Sequence, residues 1–251
     1  MAENKGVLHR YAAALEAIAA AKGGLTLTEL MHATGLPRGT VHRLIGALVE
    51  VGFIEPSNGR KVYVLGRRML SMLHLGTPAQ VIGRLVVPVL EKLVEQYQET
   101  AFLAGLANGE VRSVAMAVPT HEVHSHVEPG RVMPIHAAAS AKAIFAFQDD
   151  AVIAAALNGR PGRFTDNARV DKAEIRAELA GVRESGFAVC NEELDPGIFS
   201  YACPVRFADV GVIYSVGLVG PTKRVRRHEE AEVVAALRLS ATRIATLLTG
   251  Q

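Results

Sequence analysis

The chain has 251 residues, 49% of them hydrophobic and 21% charged, with a net charge of +2, which is enough for two domains with real cores or one large one. Its two cysteines, Cys190 and Cys203, make no paired-spacing framework and no cysteine-type zinc site, as suits a reducing cytoplasm. No apolar run approaches the roughly 20 residues of a membrane helix, and no basic segment leads an apolar signal core.

Tyr11, Leu15 and Ile18 give a first helix with one apolar face, ending near Gly23–Gly24. Leu27, Leu30, Met31 and Thr34 follow at helical spacing, with Thr26 and Glu29 in capping-box positions. Gly35 ends that helix, and Pro37 suits the first turn of the next. Val41, Leu44, Ile45 and Leu48 bury one side of this next helix. Its other side presents Gly39, His42, Arg43 and Gly46, flanked by Arg38 and Thr40. Small residues, cations and hydrogen-bonding groups on the outside of a helix held by a short turn suit a DNA major groove. An ordinary surface hairpin of helices would show the same apolar stripe.

After Gly52, two β-prone runs, Phe53–Glu55 and Lys61–Leu65, flank Ser57-Asn58-Gly59-Arg60, a strong hairpin signal. Three helices and a hairpin predict a winged helix-turn-helix. Double-stranded DNA is then the expected partner, contacted by Arg38, Gly39, Thr40, His42 and Arg43 and, from the wing, by Arg60 and Lys61. The charge agrees: residues 1–76 hold nine Lys/Arg against five Asp/Glu, whereas the remainder holds eighteen against twenty.

From Gly66 to Leu75, Met69, Leu70, Met72, Leu73 and Leu75 cover nearly a whole helix circumference, so the segment must pack on its own chain or pair with a second copy. Pairing is the preferred reading. Gly76-Thr77-Pro78 looks like a boundary. The expected domains are 1–65 for the DNA-binding module, 66–76 for a linker helix and 77–251 for the rest.

The rest opens with a helix over about Val81–Tyr97, broken or kinked at Pro88. Strands are predicted at Ala101–Ala107 and Val111–Val118 around Asn108-Gly109, with a third at Val123–Val127. Helices follow at Ala138–Phe147, Ala151–Leu157 and Lys172–Ser185. The apolar runs Phe187–Cys190, Ser200–Phe207 and Val212–Val219 precede a final helix over about Glu229–Leu248. Hairpin strands with grouped helices argue an α+β fold with an antiparallel sheet.

At this point the residues resemble the IclR-type bacterial transcription regulators over nearly the whole length. The front matches in Gly35-Leu36-Pro37-Arg38-Gly39-Thr40-Val41-His42-Arg43-Leu44 and in Tyr63-Val64-Leu65-Gly66. The body matches in Pro134-Ile135-His136-Ala137-Ala138-Ala139-Ser140-Ala141-Lys142-Ala143, in Glu192-Glu193 with Gly197, in Ala202-Cys203-Pro204-Val205, and in Gly220-Pro221. Two departures stand out: the family usually has serine at Gly39 and glycine at Ala141. The resemblance implies a linker helix, a GAF-like effector domain, and homodimers, often paired into tetramers on a palindromic operator. It also implies repression or activation of a catabolic operon, switched by a small molecule. The expectation is a cytoplasmic regulator sensing a small organic acid or aromatic compound, with no cofactor and no metal.

In the resembling family, small-acid ligands lie between the Ala139-Ser140-Ala141 helix start and the strands of Cys190, Ser200, Gly217 and Val219. Cys190, Gly217 and Val219 stand at positions that are more polar in members holding very small keto acids. A pocket without those partners suits a larger, partly apolar acid or amide, met at Ser140 and Ser200, and Gly217 adds room. A small-molecule hydrolase using Ser140, Cys190 or Cys203 is the rival reading. There is, however, no Gly-x-Ser-x-Gly elbow, Walker loop or Gly-x-Gly-x-x-Gly, and Ser140 and Lys142 point to different helix faces. Lys142 is read as a structural cation packed on its helix. His124 and His126 would share a strand face as a metal pair, or form a histidine-rich edge. His136 reads as a hydrogen-bonded core or hinge residue.

Overall fold

The computed structural model describes residues 6–21, 23–57, 61–66, 68, 69, 72, 79–121, 124–159, 161–208 and 210–249. The chain divides into two compact units, parted between Gly76 and Thr77. The first holds α1 (Val7–Ala20), β1 (Leu25–Thr26), α2 (Leu27–Thr34), α3 (Arg38–Glu50), β2 (Ile54–Pro56) and β3 (Val62–Leu65). Its core is small: Ala14 and Ile18 of α1, Leu30 of α2, and Val41, Ile45 and Leu48 of α3 close on Ile54.

The capping box forms as the sequence predicts. Glu29 N–H donates to the Thr26 hydroxyl at 3.3 Å, and Thr26 N–H donates to the Glu29 carboxylate at 2.8 Å. The Thr26 N–H and the Thr26 hydroxyl, both donating to the carboxylate at 2.8 Å, favour its ionised form and hold Glu29 below the ordinary carboxylate range. Gly35 ends α2 in the left-handed region, at φ 67°. Pro37 stands one residue ahead of α3, as its cap rather than inside its first turn.

The wing has three strands, not two. β1 pairs with β3 through Leu25↔Tyr63 and Thr26↔Val62, and β2 pairs on β3's other side through Ile54↔Leu65. Two residues are too few to show as a strand in the sequence pattern. Gly24 makes the approach feasible, because a Cβ there would strike the Tyr63 carbonyl. The hairpin tip Asn58-Gly59-Arg60, and most of the Gly66–Leu75 segment, lie outside the described residues.

The second unit is an antiparallel six-stranded sheet in the order β6-β5-β4-β9-β8-β7. The strands are β4 (Thr100–Ala107), β5 (Glu110–Ala117), β6 (Val132–Met133), β7 (Ala188–Asn191), β8 (Ile198–Phe207) and β9 (Gly211–Pro221). Two long helices, α4 (Ala79–Tyr97) and α9 (Glu230–Thr249), cover one face and touch each other, with the Tyr97 hydroxyl donating to the Glu232 carbonyl at 3.1 Å. The other face takes α5 (Ala139–Phe145), and behind it α7 (Lys172–Ser185), with α6 (Asp150–Ala156) in the same core. Period-two alternation sorts the strands: Ser200 and Ala202 lie toward α5, whereas Tyr201 and Cys203 reach Glu230 and Val234 of α9.

α4 is not broken at Pro88, which is exposed. One expected strand differs. The third strand is Val132–Met133, paired with β5, and not Val123–Val127. Val123 lies outside the described residues, and residues 124–127 form no ladder. The carbonyls there are taken by side chains instead: Thr100 Oγ1 donates to Ser125 O at 2.5 Å, and Ser113 Oγ to Val127 O at 3.4 Å. A four-residue helix, α8 (Thr222–Val225), follows β9 and is too short for any periodic signal.

Candidate DNA-reading face and ligand cavity

The outward side of α3 carries Arg38, Gly39, His42, Arg43 and Gly46, all exposed, with Thr40 half-buried at the edge. Val41, Leu44, Ile45 and Leu48 are buried on the inward side, so the stripe fixes which residues face solvent. A Cβ added at Gly39 or at Gly46 would meet nothing within 4 Å. The two glycines therefore leave α3 backbone open to close approach along one line of its surface. Arg43 Nε donates to the Gly39 carbonyl at 3.3 Å and lies folded along the helix. Lys61 is exposed at the start of the returning wing strand, while Arg60 is outside the described residues.

The second site lies between α5 and the sheet. A cavity of about 180 Å³ is walled by the apolar side chains of Phe102, Val127, Met133, Leu194, Ile198 and Val219. Of the residues expected from the sequence, Ala139, Ser140, Cys190, Ser200 and Val219 line it. Ala141 and Gly217 do not. Ala141 is fully buried one residue further around α5. Gly217 makes no room: the Phe102 ring occupies the space a side chain would need, with Cζ 2.6 Å from an added Cβ. The aromatic wall of the cavity is thus Phe102, whereas the Tyr201 ring lies on the sheet's other face, its hydroxyl donating to Glu230. Sequence pattern could not rank Phe102 above the other aromatics, because its role depends on the β4–β9 register, Phe102↔Gly217.

Ser125, Arg131 and Asp195 also line the cavity and were not singled out in the sequence. All three come from loops, where no periodicity points inward. The Ser125 and Ser140 hydroxyls are shielded from solvent and have no hydrogen-bond partner. Arg131 Nη2 lies 3.4 Å from Asp195 Oδ2 on the solvent side, where both side chains are about half exposed.

Lys142 is fully buried, and its ammonium does not simply pack on its own helix. It donates to Glu193 at 2.5 Å, to Glu178 at 2.8 Å and to the Val189 carbonyl at 2.9 Å. A buried ammonium demands such partners, because its desolvation is otherwise uncompensated. Burial pushes the Glu193 carboxyl above its ordinary range, against the pull of Lys142. Ser140 and Lys142 do point to different sides: one faces the cavity and the other the ion cluster.

Burial also raises both thiols, Cys203 to about 12. The thiolate is the reactive species, so neither cysteine is activated as the hydrolase alternative requires. His136 is buried, with Nε2 2.8 Å from the Gly162 carbonyl and the ring stacked on Phe164, which makes it a core residue. His121 and His124 each face a backbone carbonyl, and among the described residues no cluster of three or more His, Cys, Asp or Glu could hold a metal ion. No described helix is long and apolar enough to cross a membrane.

The profile of the C-terminal domain of bacterial IclR transcriptional regulators matches residues 79–246, and that of the IclR helix-turn-helix domain matches residues 7–57. The HTH-type transcriptional regulator Rv1719 of Mycobacterium tuberculosis is 30% identical over 234 residues, covering 92% of this chain and 88% of that one. The transcriptional repressor IclR of Escherichia coli is 25% identical, covering 94% and 87%. The crystal structure of an IclR homologue from Microbacterium hydrocarbonoxydans, complexed with 4-hydroxybenzoate, aligns with a TM-score of 0.62 over 98% of this chain and 100% of its own. At 22% identity, that likeness concerns the fold.

Proposed function

The chain belongs to the IclR family of bacterial transcriptional regulators, and from that premise we propose that it is a ligand-released repressor of a catabolic operon. Regulators of this family bind DNA through the helix-turn-helix unit and small effectors through the C-terminal domain; they are not enzymes. In the proposed assignment, residues 1–65 bind the operator, 66–76 form a dimerising linker, and 77–251 bind the effector. Arg38, Gly39, Thr40, His42 and Arg43 contact the major groove, with Arg60 and Lys61 on the phosphates beside it. Two copies, or two pairs, read a palindromic site in the cytoplasm.

The effector in this reading is a compact, partly apolar acid or amide, with a polar group near Ser140 and Ser200. One observation carries it: the cavity under α5 is apolar on most sides yet holds buried hydroxyls with no partner. Its volume suits a single ring, since an apolar cavity of roughly 150 Å³ accepts benzene. A two-carbon keto acid would leave most of that wall uncovered and its own hydration uncompensated.

Selection of bound sequences from a random duplex library tests both halves at once. The wild-type chain is expected to enrich a palindrome, and a benzoate-like acid is expected to release it where glyoxylate and pyruvate do not. Release by the keto acids alone refutes the effector reading. Unchanged enrichment by an Arg38→Ala/Arg43→Ala variant refutes the assigned DNA contacts.

A further inference from the structure

The polar groups around the α5 cavity are of two kinds, distinguished by exposure. The interior holds the unpartnered hydroxyls of Ser125 and Ser140. Ser140 is 1% exposed, and its carbonyl is held by the Ser215 hydroxyl at 3.0 Å. The Ser125 carbonyl is held by Thr100. Both residues are therefore fixed in place while their side chains lack partners, a standing cost that a ligand's neutral donor or acceptor would offset. The charged groups lie at the solvent side. Among the described lining residues Arg131 is the one Lys or Arg, and its carboxylate partner there is Asp195. α5 itself has only seven residues, less than two full turns, so its start is no substitute for a cation.

We propose that Arg131 reads the carboxylate of the effector, that Asp195 is the counterion exchanged for that carboxylate, and that Ser125 and Ser140 read an uncharged polar group at the ligand's other end. The ligand class is then an aromatic or compact apolar carboxylate carrying a hydroxyl or carbonyl opposite its acid. The assignment rests on the cavity being the effector site. It places the acid at the rim rather than at the start of α5.

The exchange is physically cheap. An exposed Arg–Asp pair is worth little to the fold, and the guanidinium offers a bidentate fork to any carboxylate that replaces Asp195. The base of Arg131 is held independently of Asp195: Ser113 N–H donates to the Arg131 carbonyl at 2.9 Å, and Arg112 donates to the Gly130 carbonyl at 2.9 Å. Asp195 sits two residues beyond Glu193, which is pinned to Lys142. Releasing the Asp195 side chain leaves its loop tied, by Glu193 to α5 and by the Ile198 N–H donating to the Asp195 carbonyl at 3.3 Å. Leu194, between the two, forms part of the cavity wall. His126, which also lines the cavity, is engaged with Glu128 in an exposed pair at 4.0 Å.

Calorimetric titration of the full chain with 3-hydroxybenzoate, its neutral isostere 3-hydroxybenzamide, and benzoate tests the proposal. Arg131→Ala is expected to weaken the hydroxybenzoate about tenfold and the amide less than about twofold. Asp195→Asn is expected to tighten the hydroxybenzoate about threefold and leave the amide unchanged, because a competing anion is gone. Ser125→Ala is expected to remove the advantage of hydroxybenzoate over benzoate. Equal weakening of acid and amide by Arg131→Ala, or weaker acid binding in Asp195→Asn, overturns the charge assignment while leaving the cavity as the site. Wild-type binding that none of these changes and no Ser140→Ala change affects overturns the cavity reading itself. Failure of all three probes to bind the wild type overturns the ligand class.

Discussion

The two helices to which function is assigned above, α3 and α5, are opposites in exposure. α3 buries one stripe and offers Arg38, His42 and Arg43 to solvent, while every residue of α5 is buried. In the proposed assignment α3 acts through side chains that the fold does not need, so they can be replaced without loss of structure. α5, in the same assignment, acts through side chains packed into the core, where function and stability share the same atoms. A helix that reads another molecule across its surface is separable from its scaffold; one that walls a cavity is not.

The sharpest way to break that contrast is to remove a charge from each helix. Lys142→Ala leaves the buried Glu193 with only the partly exposed Arg169, 3.6 Å away, as a cation, and is expected to cost about 3 kcal/mol of stability in denaturant unfolding, with part recovered in Lys142→Ala/Glu193→Gln. Arg43→Ala on α3 should change stability by less than about 0.5 kcal/mol. Equal costs for the two would end the contrast.

A core substitution in the small unit comes next. Leu30 is 1% exposed at the centre of the three-helix cluster. Leu30→Ala is expected to cost about 3 kcal/mol and to abolish DNA binding while calorimetric ligand affinity is retained. Lost ligand binding would mean that the two units do not fold independently.

Within α3, Arg43→Ala should cost about 1–3 kcal/mol of operator affinity if the guanidinium reads a base. Lys61→Ala should weaken all duplexes alike and flatten the salt dependence, as measured by binding titrations at several ionic strengths. A sequence-selective effect of Lys61→Ala would move base reading onto the wing.

The smallest effect concerns two carboxyls with opposite slopes. Glu29 sits below its ordinary value of 4.5 in the folded chain. Its contribution is present above that value and is lost as pH falls through the folded value. Glu193 sits above 4.5, so its contribution is present below 4.5 and is lost as pH rises through its folded value. Glu29→Gln should therefore flatten the acid side of the first unit's stability profile, and Glu193→Gln should remove a decline with rising pH from the second. Slopes of the same sign in both units would contradict the assigned causes.

What the sequence showed follows the same division. The α3 face was legible because four apolar residues at helical spacing leave only one side free for Arg38, His42 and Arg43. The capping box and the β2–β3 hairpin were legible because they are local. β1 was not, since two residues carry no period and their partner Tyr63 lies far along the chain. In the cavity, Ser140, Cys190, Ser200 and Val219 were reached through family resemblance, and Gly217 was misread because the ring filling its space comes from β4. Ser125, Arg131 and Asp195 were invisible: they sit on loops, and their significance lies in which partners they have or lack. Lys142 could be recognised as structural, but its acidic partners stand 36 and 51 residues away.

The two cysteines equip the chain with its own occupancy gauge. Cys190 borders the cavity, whereas Cys203 lies on the sheet's far face, its sulfur 3.9 Å from the Val234 carbonyl. Both are protonated at neutral pH, because burial raises both thiols. Oxidants that trip thiol sensors find little to attack in either. A slow alkylating reagent, however, would meet them unequally: a molecule seated under α5 blocks the route to Cys190 and leaves that to Cys203 unchanged. The labelling ratio of the two then reports bound ligand in the proposed site, with the reagent as the only addition.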